Sequence, residues 1–348
     1  MKSTLNTPQE PGSLTFTLLH LLADGEFHSG EVLAQQLSIS RASVNNALRG
    51  IEHFGLTLFS VRGRGYRLSH PLQLLNAQCI EELMGERGKD FKIEILNTGT
   101  SSNTLLLQRA KQDIESNLAP PSGSVLALEW QSSGRGRLGR TWHAGLGNSL
   151  TFSLLWRFDC GLSALSGLSL AVGVGLIRAF HVLGIQDVQL KWPNDVLGEQ
   201  GKLAGILIEA QGDMLGPSTV VMGVGINLDL QKSITQRVDQ PITSLSDTLG
   251  DSSLVPERNL LFATILVELG NVLQEFAKQG FAAFREEWQA YHGFQNQWVQ
   301  LLLPDSSTVS GVVRSVANDG ALELEIEQQL RRFNVGEVSL RGLSHVTD

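Results

Sequence analysis

Residues 134–142 read Gly134-Arg135-Gly136-Arg137-Leu138-Gly139-Arg140-Thr141-Trp142, and the rest of the chain is read outward from them. Glycine tolerates positive φ and lets backbone come close to a ligand. Arginine supplies a permanently charged fork that matches carboxylate and phosphate oxygens. Three of each alternate here, in a chain whose formal net charge is −8. Such a loop is built to wrap an anionic small molecule. The GxxxxGK[ST] spacing of a P-loop is missing. Taken alone, the same residues also fit a basic surface turn or an arginine-rich nucleic-acid patch.

Three further motifs follow in order: Lys191-Trp192-Pro193-Asn194-Asp195, then Lys202-Leu203-Ala204-Gly205-Ile206-Leu207, then Gly223-Val224-Gly225-Ile226-Asn227. Together with residues 134–142 they resemble the biotin-binding loop and remaining motifs of biotin–protein ligases. With the N-terminal segment described below, the resemblance runs from about Leu14 to Arg341 and is to the bifunctional biotin–protein ligase and biotin operon repressor family.

The length of 348 residues allows two or three domains, and 42% apolar with 18% charged residues is ordinary for a soluble globular protein. Residues 1–70 carry six Lys/Arg and five Asp/Glu, a balance of +1, which leaves −9 for the remainder. A near-neutral head on an acidic body is consistent with a head that meets nucleic acid. Cys79 and Cys160 are far apart with no CxxC pair, so neither a disulfide framework nor a zinc site is indicated. That favours a reducing cytosol, and no secretory leader pattern opens the chain, so the expected compartment is cytoplasmic. Residues 160–177 are uncharged over 18 positions, near the lower limit for a membrane span. Four glycines and three serines interrupt them, which favours a buried core helix and no membrane.

From Leu14 the apolar spacing is helical through Leu18, Leu19, Leu21 and Leu22. Ser29 precedes a second helix, and Ser40 can cap a third over Arg41 to His53. Helix, short turn, helix is helix-turn-helix geometry, whose second helix enters the major groove. Leu56 to Val61 and Tyr66 to Leu68 flank the basic turn Arg62-Gly63-Arg64-Gly65, which makes a wing. On the recognition helix Arg41, Ser43, Asn45, Asn46 and Arg49 are the base and phosphate readers, and Arg62, Arg64 and Arg67 meet phosphates from the wing. The bland alternative is a protein-docking module of three short helices.

Pro71 to Gly88 reads as linker plus a short helix, and Phe91 to Leu96 as the first strand of a central body. Further strands are expected at Ser124 to Gln131, Ser149 to Trp156, Val188 to Trp192, Leu203 to Ala210 and Val220 to Asn227. Helices are expected from Thr100-Ser101-Ser102-Asn103 through Lys111, over Leu168 to Leu183, from Pro256 through Phe276, and over Phe281 to Tyr291. From Trp298 short alternating strands with an Asn318-Asp319-Gly320 hairpin turn predict a small β-barrel. The expected fold is α+β and multidomain: a winged helix-turn-helix over 1–70, an α/β catalytic domain of biotin/lipoate-ligase type over 71–295, and an SH3-like β-barrel over 296–348.

No Ser-His-Asp, Cys-His or HExxH set is apparent, and no protein metal site is expected. The resemblance implies a reaction that needs none: a carboxylate that is already ionised attacks the α-phosphate of ATP, which calls for positioning and charge neutralisation. It implies catalytic roles for Arg137, Lys191 and Lys202. Biotin would be held by Ser101, Ser102, Asn103, Gln131, Gly134, Arg135, Gly136, Arg137, Lys202 and Gly205. The nucleotide would be held by Arg137, Arg140, Trp142, Lys191, Asn194, Asp195 and Asn227, with Mg2+ brought largely by ATP. The family's usual Asp-Ser-Thr-Asn stands here as Thr100-Ser101-Ser102-Asn103. The adenine-stacking tryptophan of repressor members has no aromatic counterpart in residues 239–243. Implied partners are a biotin carboxyl carrier protein, operator DNA and a second copy of the chain in an adenylate-promoted homodimer. A lipoate–protein ligase shares the fold but normally lacks a winged helix, and a biotin sensor without ligase activity is opposed by the intact Arg137, Lys191 and Lys202.

Overall fold

A computed structural model describes residues 10–112, 120–230, 235, 238, 240–303, 307–334 and 339–342. Asp239, within the segment 239–243 singled out from the sequence, lies outside the described residues, as does Val335, the end of the last strand expected from Arg332. Three helices open the described chain: α1 Ser13–Leu21, α2 Gly30–Gln36 and α3 Arg41–Leu48. Ser29 and Ser40 start α2 and α3 as expected, each accepting a backbone N–H two or three residues on, at 3.2 and 3.0 Å. The expected third helix to His53 is cut short. Gly50 takes φ +78°, turning the chain left-handed after Leu48, and Ile51–Phe54 continues as a 3-10 turn. The wing is an antiparallel pair, β1 Leu58–Val61 and β2 Gly65–Leu68, with Leu58 opposite Leu68.

After α4 (Ala77–Met84) the body alternates β3 Lys92–Gly99, α5 Ser102–Gln112, β4 Ser124–Gln131, β5 Ser149–Phe158 and α6 Leu168–Val182. Then come β6 Gln189–Lys191, β7 Asp195–Gly198, β8 Gly201–Gly212 and β9 Ser218–Asn227, followed by helices α7 Leu245–Leu249, α8 Arg258–Gln279 and α9 Arg285–Ala290. The strands form one seven-stranded sheet ordered β3-β4-β5-β9-β8-β7-β6, with β3 and β4 parallel and every other pair antiparallel.

Side-chain alternation divides this sheet into two unlike faces. Leu150, Phe152 and Leu154 of β5, Val220, Met222, Val224 and Ile226 of β9, and Ala204 and Ile206 of β8 join α6 and α8 in the main core. On the other face Leu126, Leu155 and Val221 take Leu106 and Ala110 of α5. Further along that second face the strands turn polar or bare: Thr151 and Ser153, Gly223 and Gly225, Gly205 and Glu209. That change leaves room for a site.

The uncharged segment from Cys160 becomes a 3-10 turn and then α6, twelve of whose fifteen residues are buried, so the core-helix expectation holds. Helix α8 is the one described helix long and apolar enough to cross a membrane, and its apolar side is spent against α4, α6 and the sheet. Strands β10 Trp298–Leu302, β11 Thr308–Val316, β12 Leu322–Ile326, β13 Gln329–Phe333 and β14 Ser339–Gly342 form an antiparallel sheet of SH3-like type, ordered β13-β12-β11-β10-β14. Val299, Leu301, Val313, Val316, Leu322 and Leu324 belong to the same buried cluster as Phe284 and Trp288. The C-terminal sheet therefore closes the body's core instead of standing apart.

Candidate active site

The bare face of the sheet is the floor. Register places Thr151 beside Gly225 and Gly225 beside Gly205, while Ser153 lies beside Gly223 and Gly223 beside Leu207. The glycines are there because their rows are occupied from above. A Cβ on Gly225 would enter the Trp142 ring, and one on Gly223 would enter the Asn103 amide.

At one end, the start of α5 supplies Ser101, Ser102 and Asn103, all buried. The Ser102 backbone N–H donates to Gln131 Oε1 at 2.9 Å, and the Ser153 hydroxyl lies 2.7 Å from Ser102 Oγ and 2.5 Å from Asn103 Oδ1. These groups, with Arg135, Gly136, Arg137, Lys202 and Gly205, line a cavity of about 460 Å³. Its inner end is neutral and rich in donors and acceptors. Its outer end is cationic.

The glycine–arginine loop folds back on itself: Gly136 N–H donates to Arg140 O at 2.7 Å, and Trp142 N–H donates to Gly134 O at 2.9 Å. Leu138, at φ +54° and largely exposed, is its tip. A second cavity of about 900 Å³ opens on the loop's far side, lined by Arg137, Arg140, Trp142, Lys191, Asn194, Asp195, Lys202 and Asn227. Val238, Gln240 and Ile242 also line it. Arg137, Lys202, Asn194, Trp142 and Gly136 border both cavities, so two cations stand at the junction. Arg137 Nη1 donates to Asn194 Oδ1 at 2.9 Å, and Lys202 Nζ pairs with the Asp195 carboxylate at 2.7 Å. Burial draws the Arg137 guanidinium below its ordinary value; Asp195 opposes this and Arg140 reinforces it. Asn194 is itself locked to β8, its amide donating to Ile206 O at 2.8 Å.

On the winged helix, Arg41, Asn45, Asn46 and Arg49 are exposed along or just beyond α3, as are Arg62 and Arg64 on the wing. Ser43 is half-buried and committed to the helix cap through Ser40 Oγ. Arg64 and Arg67 both stack on the Phe27 ring, at 4.1 and 4.9 Å from its centre, which fixes the basic side of the wing.

Residues 100–227 match the biotin/lipoate A/B protein ligase family, and residues 15–67 match a helix-turn-helix domain. The chain is 35% identical over 327 residues to the bifunctional ligase/repressor BirA of Escherichia coli, covering 93% of this chain and 96% of that protein. The chain belongs to the bifunctional biotin ligase/repressor family. A biotin–[acetyl-CoA-carboxylase] ligase of Mycobacterium tuberculosis is 32% identical over 278 residues, 78% of this ligase/repressor chain and 97% of its own. The solved biotin protein ligase of Aquifex aeolicus in complex with biotin and ATP superposes with a TM-score of 0.58 at 25% identity, covering 72% of this chain and 99% of that one.

Of the small-molecule site residues expected from the ligase/repressor sequence, the structure brings all but Gly134 to the wall of one cavity or the other. Gly134 lies beneath them, where a Cβ would meet the Trp142 carbonyl, so it shapes the loop from behind. The sequence reading missed Ser153, Thr151, Leu207, His143 and Glu209. Hydroxyls at every second position, Ser149, Thr151 and Ser153, in a strand otherwise apolar up to Arg157 were the available signal for the first two. Glu209 carried none, since a charged residue near a strand end usually faces solvent.

Proposed function

We propose that the chain joins biotin to ATP as biotinyl-5′-AMP, releasing pyrophosphate, and then transfers the biotinyl group to a lysine of a biotin carboxyl carrier protein. Through its winged helix it represses transcription of biotin synthesis genes. The observation that carries this reading is the pair of cations, Arg137 and Lys202, bordering a neutral-ended cavity on one side and a wider polar one on the other.

Ser101, Ser102, Asn103 and Gln131 hold the uncharged ureido ring by hydrogen bonds, Gly136 and Gly205 let the backbone close on the ligand while Gly134 shapes the loop from behind, and Arg137 and Lys202 meet the carboxylate, with Arg135 at the cavity's edge. A biotin carboxylate oxygen attacks the α-phosphorus, and the bond to the pyrophosphate leaving group breaks. Arg137 and Lys202 neutralise charge where it concentrates. Arg140 and Lys191 take the remaining phosphates, Asn194, Asp195 and Asn227 the rest of the nucleotide, and Trp142 with Val238 and Ile242 an apolar side for the base. The adenylate carbonyl then takes the acceptor lysine amine, AMP leaves, and the amine loses its proton.

Among the described residues no three His, Cys, Asp or Glu cluster to hold a metal. Among the described residues Asp195 is the one carboxylate on the nucleotide cavity, and a carboxylate plus phosphate oxygens suits magnesium. Asp195, with Asn227, would hold it; when bound it supplies further neutralisation of phosphate charge.

On this reading residues 1–70 bind operator DNA with Arg41, Asn45, Asn46, Arg49 and the wing arginines Arg62, Arg64 and Arg67, and Ser43 serves from the helix start. Residues 71–295 do the chemistry and 296–348 support it. One short reading helix serves one half-site, so operator binding calls for a homodimer, promoted by the adenylate, in the cytoplasm. The test is incubation with biotin and ATP-Mg followed by mass spectrometry of the bound ligand. Biotinyl-5′-AMP is the expected species; biotin alone would leave a sensor, and neither would refute the assignment.

A further inference from the structure

Glu209 lies on β8, on the same side of the strand as Gly205 and Leu207, and stands just outside the wall of the smaller cavity. Its carboxylate is fully engaged. Arg135 Nη2 donates to Oε1 at 2.9 Å and Arg135 Nη1 to Oε2 at 3.0 Å, a two-pronged pairing across 74 residues of sequence. The same Oε2 accepts from Asn103 Nδ2 at 3.0 Å. One acidic group thus ties three parts together: the glycine–arginine loop, the start of α5 and the floor strand.

The Asn103 bond decides more than position. A side-chain amide can face either way, and its partners choose. With Nδ2 given to Glu209 and to Leu207 O, the Asn103 oxygen is left facing Ser153, whose hydroxyl links on to Ser102. Glu209 therefore sets the donor and acceptor pattern of the inner end without touching the cavity. At the outer end it holds a guanidinium whose other side-chain partner is the Thr104 hydroxyl, 3.4 Å from Arg135 Nη1. Fork-to-fork pairs of this kind are the stronger class of hydrogen bond, and they fix orientation as well as energy.

We infer that Glu209 is a positioning residue for biotin: it latches the glycine–arginine loop to the sheet through Arg135 and orients the Asn103 amide, so the cavity stands formed before ligand arrives. The inference rests on the functional reading above for the ligand's identity, and on the geometry alone for the latch. Its side chain is 25% exposed and that of Arg135 45%, so solvent weakens the pair and the expected effects are moderate.

The experiment compares the full chain with Glu209→Gln, which keeps shape and removes charge, and Glu209→Asp, which keeps charge and shortens reach. Trypsin cuts after Arg135, Arg137 and Arg140, so loop release is read directly. In the absence of ligand, cleavage within the loop should be several-fold faster in Glu209→Gln. Calorimetry should give a biotin Kd weaker by roughly tenfold, the size of effect that losing hydrogen bonds to a charged group produces. The KM for ATP should rise less than the biotin Kd, since Lys191, Asn194 and Asp195, which also line the second cavity, lie outside the latched loop. Glu209→Asp should recover part of the loss. In a double-mutant cycle with Arg135→Ala the two losses should not add. Equal cleavage rates with equal Kd, or strict additivity, overturns the inference. Failure of the wild-type chain to bind biotin would refute the functional reading instead, and the trypsin comparison would then decide the latch by itself.

Discussion

The Trp192 indole N–H donates to the carbonyl oxygen of Gly320 at 3.0 Å, across 128 residues of sequence. Trp192 is fully buried, and its neighbours Lys191, Asn194 and Asp195 line the second cavity, the one proposed for the nucleotide. The turn that follows β11 is held to the body a second time by Ser166 Oγ, which donates to Asp319 O at 2.6 Å. Ser169 at the start of α6 donates to Pro193 O at 3.0 Å, so the segment is held from both sides. The hairpin of the C-terminal sheet is thus a buttress for the loop that presents Lys191, Asn194 and Asp195 to the second cavity.

Substituting Gly320→Ala should weaken that buttress. Gly320 sits at φ +81°, and a Cβ there would lie 2.7 Å from the Gly167 Cα, which is backbone and cannot swing away. Strain of this kind costs on the order of 1–3 kcal/mol. The expected result is a lower Tm together with a raised KM for ATP and an unchanged biotin Kd. A lower Tm with both ligands unaffected would show the contact to be structural only.

Arg137→Ala should let the adenylate escape. The guanidinium borders both cavities and is braced by Asn194, so it is placed to grip both halves of the intermediate. Hydrogen bonds to charged groups contribute roughly 1.5–3 kcal/mol, or about a ten- to hundredfold faster release. Labelling of bystander proteins by freed biotinyl-5′-AMP, read by streptavidin blot, is the expected outcome. Retention equal to wild type would remove the role assigned to Arg137.

His292 should make stability depend on pH. It is 5% exposed, with the Trp288 ring centre 4.5 Å away and Phe294 beyond. Burial pushes its pKa from 6.5 down to about 4, against a smaller upward pull from Gln295. The unfolded chain takes up a proton below about pH 6.5, the folded one only near pH 4, so protonation favours unfolding inside that window. Stability is complete above about pH 6.5 and falls toward pH 4, by up to about 3 kcal/mol from this group. Urea unfolding at pH 7 and pH 5 measures it. His292→Phe should shrink the difference, and an equal difference in the variant would assign the pH dependence elsewhere.

What the sequence disclosed depended on how local each signal was. The caps at Ser29 and Ser40 and the strand Ser124–Gln131 were legible because a hydroxyl before an apolar period, or an unbroken apolar run, acts over a few residues. Strand β7 was not: Asp195–Gly198 follows a proline and ends in glycine, and it is a strand because β8, through Gly205, Ala204, Lys202 and Gly201, and β6, through Lys191, Leu190 and Gln189, pair with its two edges. Gly223 and Gly225 were legible as a motif but not as a cause, since nothing nearby says that Trp142 and Asn103 descend on them. Glu209 was invisible for the same reason, its partner Arg135 being 74 residues away. The shared cores of the three modules were also hidden, because alternation tells which face is buried and not what buries it.

One of those shared cores bears on removal of the winged helix. The Phe54 ring packs edge-on against Trp130 at 5.4 Å, and Leu146 joins the same cluster. Backbone follows side chain: Leu146 N–H donates to Phe54 O at 2.8 Å, and Asn148 Nδ2 to Gly55 O at 3.1 Å. Trp130 stands between two functional neighbours on β4. Glu129, on one side, accepts from the linker at Leu75 N–H and pairs with buried Arg258 at 2.9 Å. Gln131, on the other, lines the cavity proposed for biotin. Deleting residues 1–70 should therefore abolish DNA binding and leave the chemistry, while lowering Tm and loosening biotin by a few-fold through Trp130. Phe54→Leu isolates the coupling, because it removes only the ring pair, about 0.5–1.5 kcal/mol by the usual worth of such contacts. A matching, smaller fall in biotin affinity would place the path through Trp130. Wild-type affinity in Phe54→Leu, with a loss in the truncated chain, would move it to the linker clamp at Glu129 and Arg258.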